Sequence, residues 1–136
     1  MKKEGSLNIF ITKSRPFVIL AGKNSETRFM MRCLLESWDF EVAETHDGPG
    51  SIEVASERRP DLILLDATLP FEESLKTMSF IKSNLPERRV PLVVLSGFSR
   101  TDMKEAAMSH GATEYLVKPL DFERLPDYLN RVVARA

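Results

Sequence analysis

The chain has 136 residues, of which 43% are hydrophobic and 29% are charged, and this composition suits one folded domain and argues against intrinsic disorder. The 19 basic and 20 acidic residues give a net charge of −1, which argues against a general nucleic-acid binder, because such proteins carry a marked basic excess. The single cysteine, Cys33, excludes an intrachain disulfide, and no apolar run approaches the ~18 residues of a membrane span. We therefore expect a protein of the reducing cytoplasm.

The N-terminal part of the chain is more basic than the remainder. Residues 1–28 contain six basic and two acidic residues, whereas residues 29–136 contain 13 basic and 18 acidic residues. We expect residues 1–15 to form a solvated basic arm and residues 16–136 to form the domain. Contact of the arm with an acidic partner or with nucleic acid is the alternative. The apolar run at residues 8–11 leaves open an additional edge strand.

Five short apolar runs predict β-strands. Each has five residues or fewer and few polar interruptions, which is typical of strands that are buried on both faces of a parallel sheet. The predicted strands are residues 17–21, 42–45, 62–65, 92–95 and 115–117.

Apolar residues between and after these runs recur at the spacing of amphipathic helices, and we interpret the five stripes as core-packing faces. Gly111 stands where a helix C-terminal glycine is expected, and Pro126 either opens the last helix or kinks it. Alternation of strand and helix, five times over, predicts an α/β fold with a doubly wound parallel sheet and right-handed crossovers. The stripes are Met31, Leu34, Leu35 and Trp38; Ile52 and either Ala55 or Ser56; Leu75, Met78 and Ile81, with Leu85 as an optional extension; Met103, Ala106, Ala107 and His110; and Leu125, Leu129, Val132 and Val133.

Residues that can carry chemistry follow four of the predicted strands. Gly22 and Lys23 follow the first strand, Asp66 the third, Ser96 the fourth and Lys118 the fifth, and the carboxyl ends of parallel strands are where such sheets place their sites. A carboxylate can attack phosphorus, an ammonium can neutralise phosphoryl oxygens, and a hydroxyl can donate a hydrogen bond to one of them. An aspartate in this position can alternatively be a helix cap. The joint placement favours phosphoryl chemistry.

Four segments together carry a family resemblance. They are DLILLDATLP at residues 61–70, VVLSG at residues 93–97, GATEYLVKP at residues 111–119, and the pair DG at residues 47–48. With these segments the chain, from about residue 15 to its end, resembles the receiver domains of bacterial two-component response regulators. The resemblance implies a five-stranded sheet of order 2-1-3-4-5 in the flavodoxin-like receiver fold.

The resemblance also implies roles for individual residues. Asp66 would be the phosphorylatable aspartate, Lys118 the cation that pairs with the phosphoryl group, and Ser96 the hydroxyl that follows this group. Tyr115 falls on the aromatic switch position of the family. The implied partners are a histidine kinase or another signalling protein, and a homodimer through the face made by the fourth helix, fifth strand and fifth helix is a further expectation.

The loop after the first strand departs from the family pattern. The family places two acidic residues there to hold Mg²⁺, but a gapless alignment puts Gly22 and Lys23 at these positions. Asp66 and the backbone carbonyl of Thr68 would then be the remaining protein ligands, and Lys23 would repel a cation. We therefore expect weak Mg²⁺ binding. Lys23 is either a solvated loop residue or a partner of Asp66 in the vacated metal position.

Two functions remain under consideration for the receiver. The first is an atypical single-domain regulator that acts by protein–protein contact, with impaired Mg²⁺-dependent phosphorylation. The second is a functional phosphoacceptor that a histidine kinase phosphorylates at Asp66. An enzyme is not expected, because phosphatases of the haloacid dehalogenase type need a second aspartate where Thr68 stands. A nucleotide-binding module is disfavoured, because no glycine-rich loop follows the first strand.

Overall fold

A computed structural model describes residues 15–68, 70–86 and 89–136. The predicted basic arm lies outside the described residues, apart from Arg15, and so does the apolar run at residues 8–11. The described ranges cover the predicted domain except for residues 69, 87 and 88. Of the helices in these ranges, none has the length and apolar character needed to cross a membrane.

Five parallel strands form one sheet in the order β2-β1-β3-β4-β5. β1, β3 and β4 are buried at every residue, because helices cover both faces of the sheet, and this burial explains their uninterrupted apolar sequences. The predicted fold and strand order are confirmed, and each predicted strand lies within one residue of its observed bounds. The strands are β1 Phe17–Ala21, β2 Glu41–Thr45, β3 Leu62–Asp66, β4 Leu92–Ser96 and β5 Glu114–Val117.

A helix follows each strand. The side chains of Asn24 and Asp47 cap the first two helices by accepting backbone N–H groups of the first turn, each at 2.8 Å. Pro126 lies in the first turn of the last helix, so it opens this helix and does not kink it. The helices are α1 Ser25–Ser37, α2 Gly48–Glu57, α3 Phe71–Asn84, α4 Thr101–Ser109 and α5 Leu125–Arg135.

The core consists of two layers, one on each face of the sheet. Ile19 and Ile63 belong to the layer that α2, α3 and α4 cover, whereas Leu20 and Leu64 belong to the layer covered by α1 and α5. Successive strand residues thus pack on opposite faces. The predicted helix stripes supply the facing side chains, of which Leu35, Met78, Ile81, Ala107 and Leu129 are completely buried.

Gly111 makes the turn between α4 and β5 possible. Its φ is 112°, a left-handed conformation that favours glycine, and a Cβ at this position would overlap the aliphatic part of Lys82. The turn brings β5 alongside β4, with Tyr115 opposite Val94 and Val117 opposite Ser96. This register places the end of β5 beside the end of β4, which in turn lies beside the end of β3.

Candidate functional site

Three of the predicted site residues meet at the carboxyl edge of the sheet. Asp66 is the last residue of β3 and Ser96 is the last residue of β4. Lys118 directly follows β5, and its N–H donates to the Ser96 carbonyl oxygen at 2.8 Å, which extends the ladder by one residue. The strand pairing itself therefore brings the Lys118 side chain to the level of Asp66.

Asp66 and Lys118 form an ion pair. Lys118 Nζ donates to Asp66 Oδ1 at 2.6 Å, and the Asp66 side chain is 7% exposed whereas that of Lys118 is 37% exposed. A carboxylate this deeply buried needs a charged or hydrogen-bonding partner, and the lysine supplies both. The same ammonium lies where it can neutralise negative charge that a group on Asp66 would bring.

Lys23 does not pair with Asp66, and this hypothesis from the sequence is wrong. The Lys23 ammonium donates instead to a carboxylate oxygen of Glu73, in the first turn of α3. Both side chains are more than half exposed, at 58% and 53%. The hydrogen bond from Lys23 holds the pKa of Glu73 below its ordinary value of 4.5. The physical reason is solvation, since an exposed lysine retains water contacts beside Glu73 that it would lose beside a buried carboxylate.

Arg28 is a residue of the site that the sequence reasoning missed. Its Nη1 donates to the backbone carbonyl of Gly22, and its Nε donates to Glu44 Oε1 at 3.1 Å. The arginine thereby ties the loop after β1 to the end of β2. The available signal was its position in the first turn of a helix that follows a strand end, where an inward-facing arginine can meet loop carbonyls.

The donors around Asp66 do not make a complete Mg²⁺ site. The predicted ligands are Asp66, whose Oδ1 is paired with Lys118, and the Thr68 carbonyl, which accepts the Ser74 hydroxyl at 3.2 Å. A cleft of about 40 Å³ beside them is lined by Asp47, Glu73 and Lys23 among others. Within the described ranges, no group of three or more His, Cys, Asp or Glu side chains is arranged to hold a metal ion. The residues present therefore fit Mg²⁺ poorly.

Ser96 and Tyr115 form a buried hydrogen-bonded group behind the site. The Tyr115 hydroxyl lies 2.9 Å from Ser96 Oγ and donates to the Phe98 carbonyl oxygen, also at 2.9 Å. Ser96 Oγ accepts the N–H of Phe98 at 3.0 Å. Both side chains are buried, so Tyr115 lies inward, and the predicted switch residue is directly linked to the hydroxyl residue.

An apolar groove adjoins the site on the opposite side of Asp66, and the sequence reasoning did not predict it. It has a volume of about 330 Å³ and runs between the start of α1 and the segment that follows β5. Phe29, Met30 and Phe122 are exposed at or near this groove. Its lining includes Met30, Met31, Leu34, Leu120 and Phe122.

Comparison with known families identifies the domain. The model for the response regulator receiver domain matches residues 18–130. The transcriptional regulatory protein PdtaR of Mycobacterium tuberculosis is 33% identical over 119 residues, which cover 87% of this chain and 57% of PdtaR. ZraR of Salmonella typhimurium, also a transcriptional regulatory protein, is 30% identical over 105 residues, 77% of this chain and 23% of ZraR. The chain thus spans about a quarter to just over half the length of these relatives.

Solved structures agree with the family match. The receiver domain of the sensor histidine kinase PA1611 from Pseudomonas aeruginosa, with a magnesium ion coordinated in its active-site cleft, is 25% identical and superposes with a TM-score of 0.75. The matched region covers 88% of this chain and 98% of that domain. The chemotaxis response regulator CheY4 of Vibrio cholerae, at 24% identity and a TM-score of 0.74 over 87% and 98% of the two chains, shares the fold. The chain belongs to the response regulator receiver domain family of two-component signalling.

Proposed function

We propose that this chain is an atypical receiver domain, which acts through protein–protein contact and in which Mg²⁺-dependent phosphorylation of Asp66 is impaired. The observation that carries the proposal is the composition of the loop after β1. Gly22 and Lys23 bring no carboxylate to the cleft, and Lys23 adds a cation that lines it together with Asp66. A hard divalent cation therefore meets one buried carboxylate, already paired, and a nearby positive charge.

The Lys23–Glu73 pair supports the same conclusion from the other wall of the cleft. Glu73 is the carboxylate of α3 that could turn toward an incoming cation, but its oxygen accepts the Lys23 ammonium. Any cation entering the cleft competes with a lysine that belongs to the chain and therefore loses no translational entropy on binding. The pair thus opposes metal entry in two ways, because the Lys23 ammonium repels a cation and because it already engages a carboxylate oxygen that could have been a metal ligand.

The partners that we propose are a histidine kinase or another signalling protein, since the relatives PdtaR and ZraR are transcriptional regulatory proteins. The proposed contact face consists of α4, β5 and α5, with homodimerisation through it as one form of contact. Met108 and Val117 are exposed on this face, and Tyr128 of α5 donates to Glu114 of β5 at 2.6 Å. Burial and this bond raise the pKa of Tyr128, so its hydroxyl stays protonated and able to donate above its ordinary pKa of 10.

We propose that residues 1–15 serve as a basic arm on a domain formed by residues 16–136, in a cytoplasmic setting. We expect no enzymatic activity from the domain, and no nucleic-acid binding, because residues 16–136 contain 15 basic and 19 acidic residues and therefore carry a net negative charge.

A functional phosphoacceptor is the second candidate, and a specific observation favours it. Asp66, Lys118 and Ser96 converge at the sheet edge with the carboxylate and ammonium in direct contact. The related receiver of PA1611 coordinates magnesium in its cleft. Under this alternative, Asp66 accepts a phosphoryl group from a histidine kinase in spite of weak metal binding.

Treatment with Mg²⁺ and a small acyl phosphate donor, followed by intact-mass measurement, separates the two functions. We expect little or no added phosphate on the wild-type chain. Asp66→Asn is the matched control, because it keeps the size of the side chain and removes the nucleophile. Abundant phosphorylation that Asp66→Asn abolishes would establish the second function and overturn the first. Label that survives Asp66→Asn would exclude Asp66 as the acceptor.

A further inference from the structure

Phe98, in the segment between β4 and α4, is held by three contacts of different kinds. Its N–H donates to Ser96 Oγ at 3.0 Å, and its carbonyl oxygen accepts the Tyr115 hydroxyl at 2.9 Å. Its ring packs edge-to-face against the ring of Phe71, with centroids 5.6 Å apart and planes at 78°. Both backbone polar groups and the side chain of one residue are therefore engaged at once.

The ring of Phe71 provides a fixed support for this segment. Phe71 is the first residue of α3 and lies five positions after Asp66, and it is buried in the same core layer as Met78 and Tyr115. The edge-to-face geometry is one that aromatic pairs prefer. The Phe71–Phe98 contact thus joins the segment that follows Asp66 to the segment that follows Ser96, the two chain segments that border the site.

The inward position of Tyr115 depends on where Phe98 lies. A buried phenol needs a hydrogen-bond partner, and the Tyr115 hydroxyl has two, Ser96 Oγ and the Phe98 carbonyl oxygen. Displacement of Phe98 removes one of the two acceptors of the Tyr115 hydroxyl. It also removes the N–H group that donates to Ser96 Oγ. The outward position, with the hydroxyl in water and the ring at the protein surface, would then become more favourable for Tyr115 than the inward position.

We infer that Phe71 is a positioning residue, which holds Tyr115 inward through Phe98 in the unphosphorylated chain and so fixes the α4–β5–α5 face in one arrangement. The inference rests on the proposed function, in which this face contacts partners without prior phosphorylation. The inference adds the physical cause of the fixed arrangement, since an aromatic ring keeps Tyr115 inward without a metal or a phosphoryl group. Tyr115 would respond to Phe71 even though these two side chains are joined through a third residue.

Fluorine NMR on the full chain labelled with 3-fluorotyrosine tests this inference. The chain has only two tyrosines, so Tyr128→Phe assigns the Tyr115 signal. We expect one Tyr115 resonance in the wild type, characteristic of a buried ring. Phe71→Leu should add a second, solvent-exposed population or broaden the signal, with the outward-to-inward ratio rising about fivefold, as the loss of one aromatic pair implies.

Two further variants guard against a general loss of folding. Phe98→Leu removes the same contact from its less buried side and should reproduce the Tyr115 change, while the Tyr128 signal remains that of the folded protein. Gly97→Ala is the matched control in the same segment, because a Cβ there meets nothing within 4 Å, and it should leave Tyr115 unchanged.

An unchanged Tyr115 signal in both Phe71→Leu and Phe98→Leu, with folding retained, would overturn the inference and leave the proposed function intact. Equal perturbation by Gly97→Ala would also overturn it, because the aromatic contact would then have no special role. Phosphorylation of the wild type in the intact-mass experiment would instead refute the proposed function, without deciding the position of Tyr115.

Discussion

Two lysines lie on different sides of Asp66, and they pair with carboxylates that differ in solvent exposure. Lys118 pairs with Asp66, whose side chain is 7% exposed, whereas Lys23 pairs with Glu73 where both partners are more than half exposed. The backbone explains the difference. Lys118 is still part of the sheet ladder through the Ser96 carbonyl, but the ladder on the other side ends at Gly22, whose N–H donates to the Thr45 carbonyl oxygen. Backbone hydrogen bonds of the ladder fix the direction of a side chain within it. The side chain of a residue one position beyond the ladder takes the conformation that local solvation and charge favour.

The largest effect that would sharpen this comparison is expected from Lys118→Met. The substitution leaves the buried Asp66 carboxylate without its partner, and the free energy of unfolding should fall by ~2 kcal/mol, less than for a fully buried pair because Lys118 is partly exposed. Chemical denaturation measures the change. Lys23→Met is the matched control and should have a much smaller effect.

The double variant Lys118→Met with Asp66→Asn gives a second reading of the same pair. A neutral amide in place of the carboxylate removes the unpaired charge, so the double variant should recover part of the lost stability. Additive losses would contradict a direct interaction between the two side chains.

The grouping of the site residues at the strand ends was predictable from the sequence, whereas the contacts between exposed side chains were not. Asp66, Ser96 and Lys118 each end an apolar run, and the rule that parallel strand ends converge was enough to group them. The runs are short and apolar, which is why their bounds could be read to within one residue even for β5, which is only partly buried. These predictions needed no side-chain conformations.

Contacts between loops depend on side-chain conformation and lie outside the reach of sequence periodicity. Lys23 and Glu73 are 50 positions apart, and sequence spacing does not indicate which exposed carboxylate a flexible lysine selects. Phe71 and Phe98 were equally unpredictable as a pair, because each stands at the edge of an apolar pattern. The sequence identified Lys23 as unusual, and the structure was needed to identify its partner.

Carboxylates at positions 22 and 23 should make the Lys23 side of the cleft able to hold a metal. With Gly22→Asp and Lys23→Asp together, we expect Mg²⁺ binding in the millimolar range by calorimetry, and weaker or undetectable binding with the wild type, because hard cations take carboxylate oxygens. Gly22→Ala is the control for crowding, since a Cβ at this position lies 3.3 Å from Asp66 Cβ. Tight Mg²⁺ binding to the wild type would contradict the proposed function.

On the Lys118 side, the buried hydroxyl group behind the site can be tested by Tyr115→Phe. The change removes the hydroxyl that donates to the Phe98 carbonyl oxygen while keeping the ring. The free energy of unfolding should therefore fall by ~1 kcal/mol. Thermal denaturation followed by circular dichroism measures it. Tyr128→Phe serves as a comparison, because the Tyr128 hydroxyl donates to Glu114 in a partly buried contact between α5 and β5, whereas the Tyr115 hydroxyl lies between two buried or partly buried partners. No loss in Tyr115→Phe would indicate that its hydroxyl is in water.

The smallest effect is expected from the Lys23–Glu73 pair, and the dependence of this effect on pH and salt can be measured. Because Lys23 lowers the pKa of Glu73 from 4.5, the pair stabilises the folded state above that ordinary value. Its contribution is lost as the pH falls through the lower pKa of the folded state. Wild type and Lys23→Met should therefore differ slightly in melting temperature at about pH 7 and converge as the pH falls through the lowered pKa of Glu73. The difference should also shrink in ~1 M salt, as expected for an exposed pair.

Glu73→Gln should behave as Lys23→Met does, since each removes one partner of the same pair. A loss in Lys23→Met as large as that in Lys118→Met, unaffected by salt, would show that Lys23 engages a buried carboxylate, and the contrast between the two lysines would then fail.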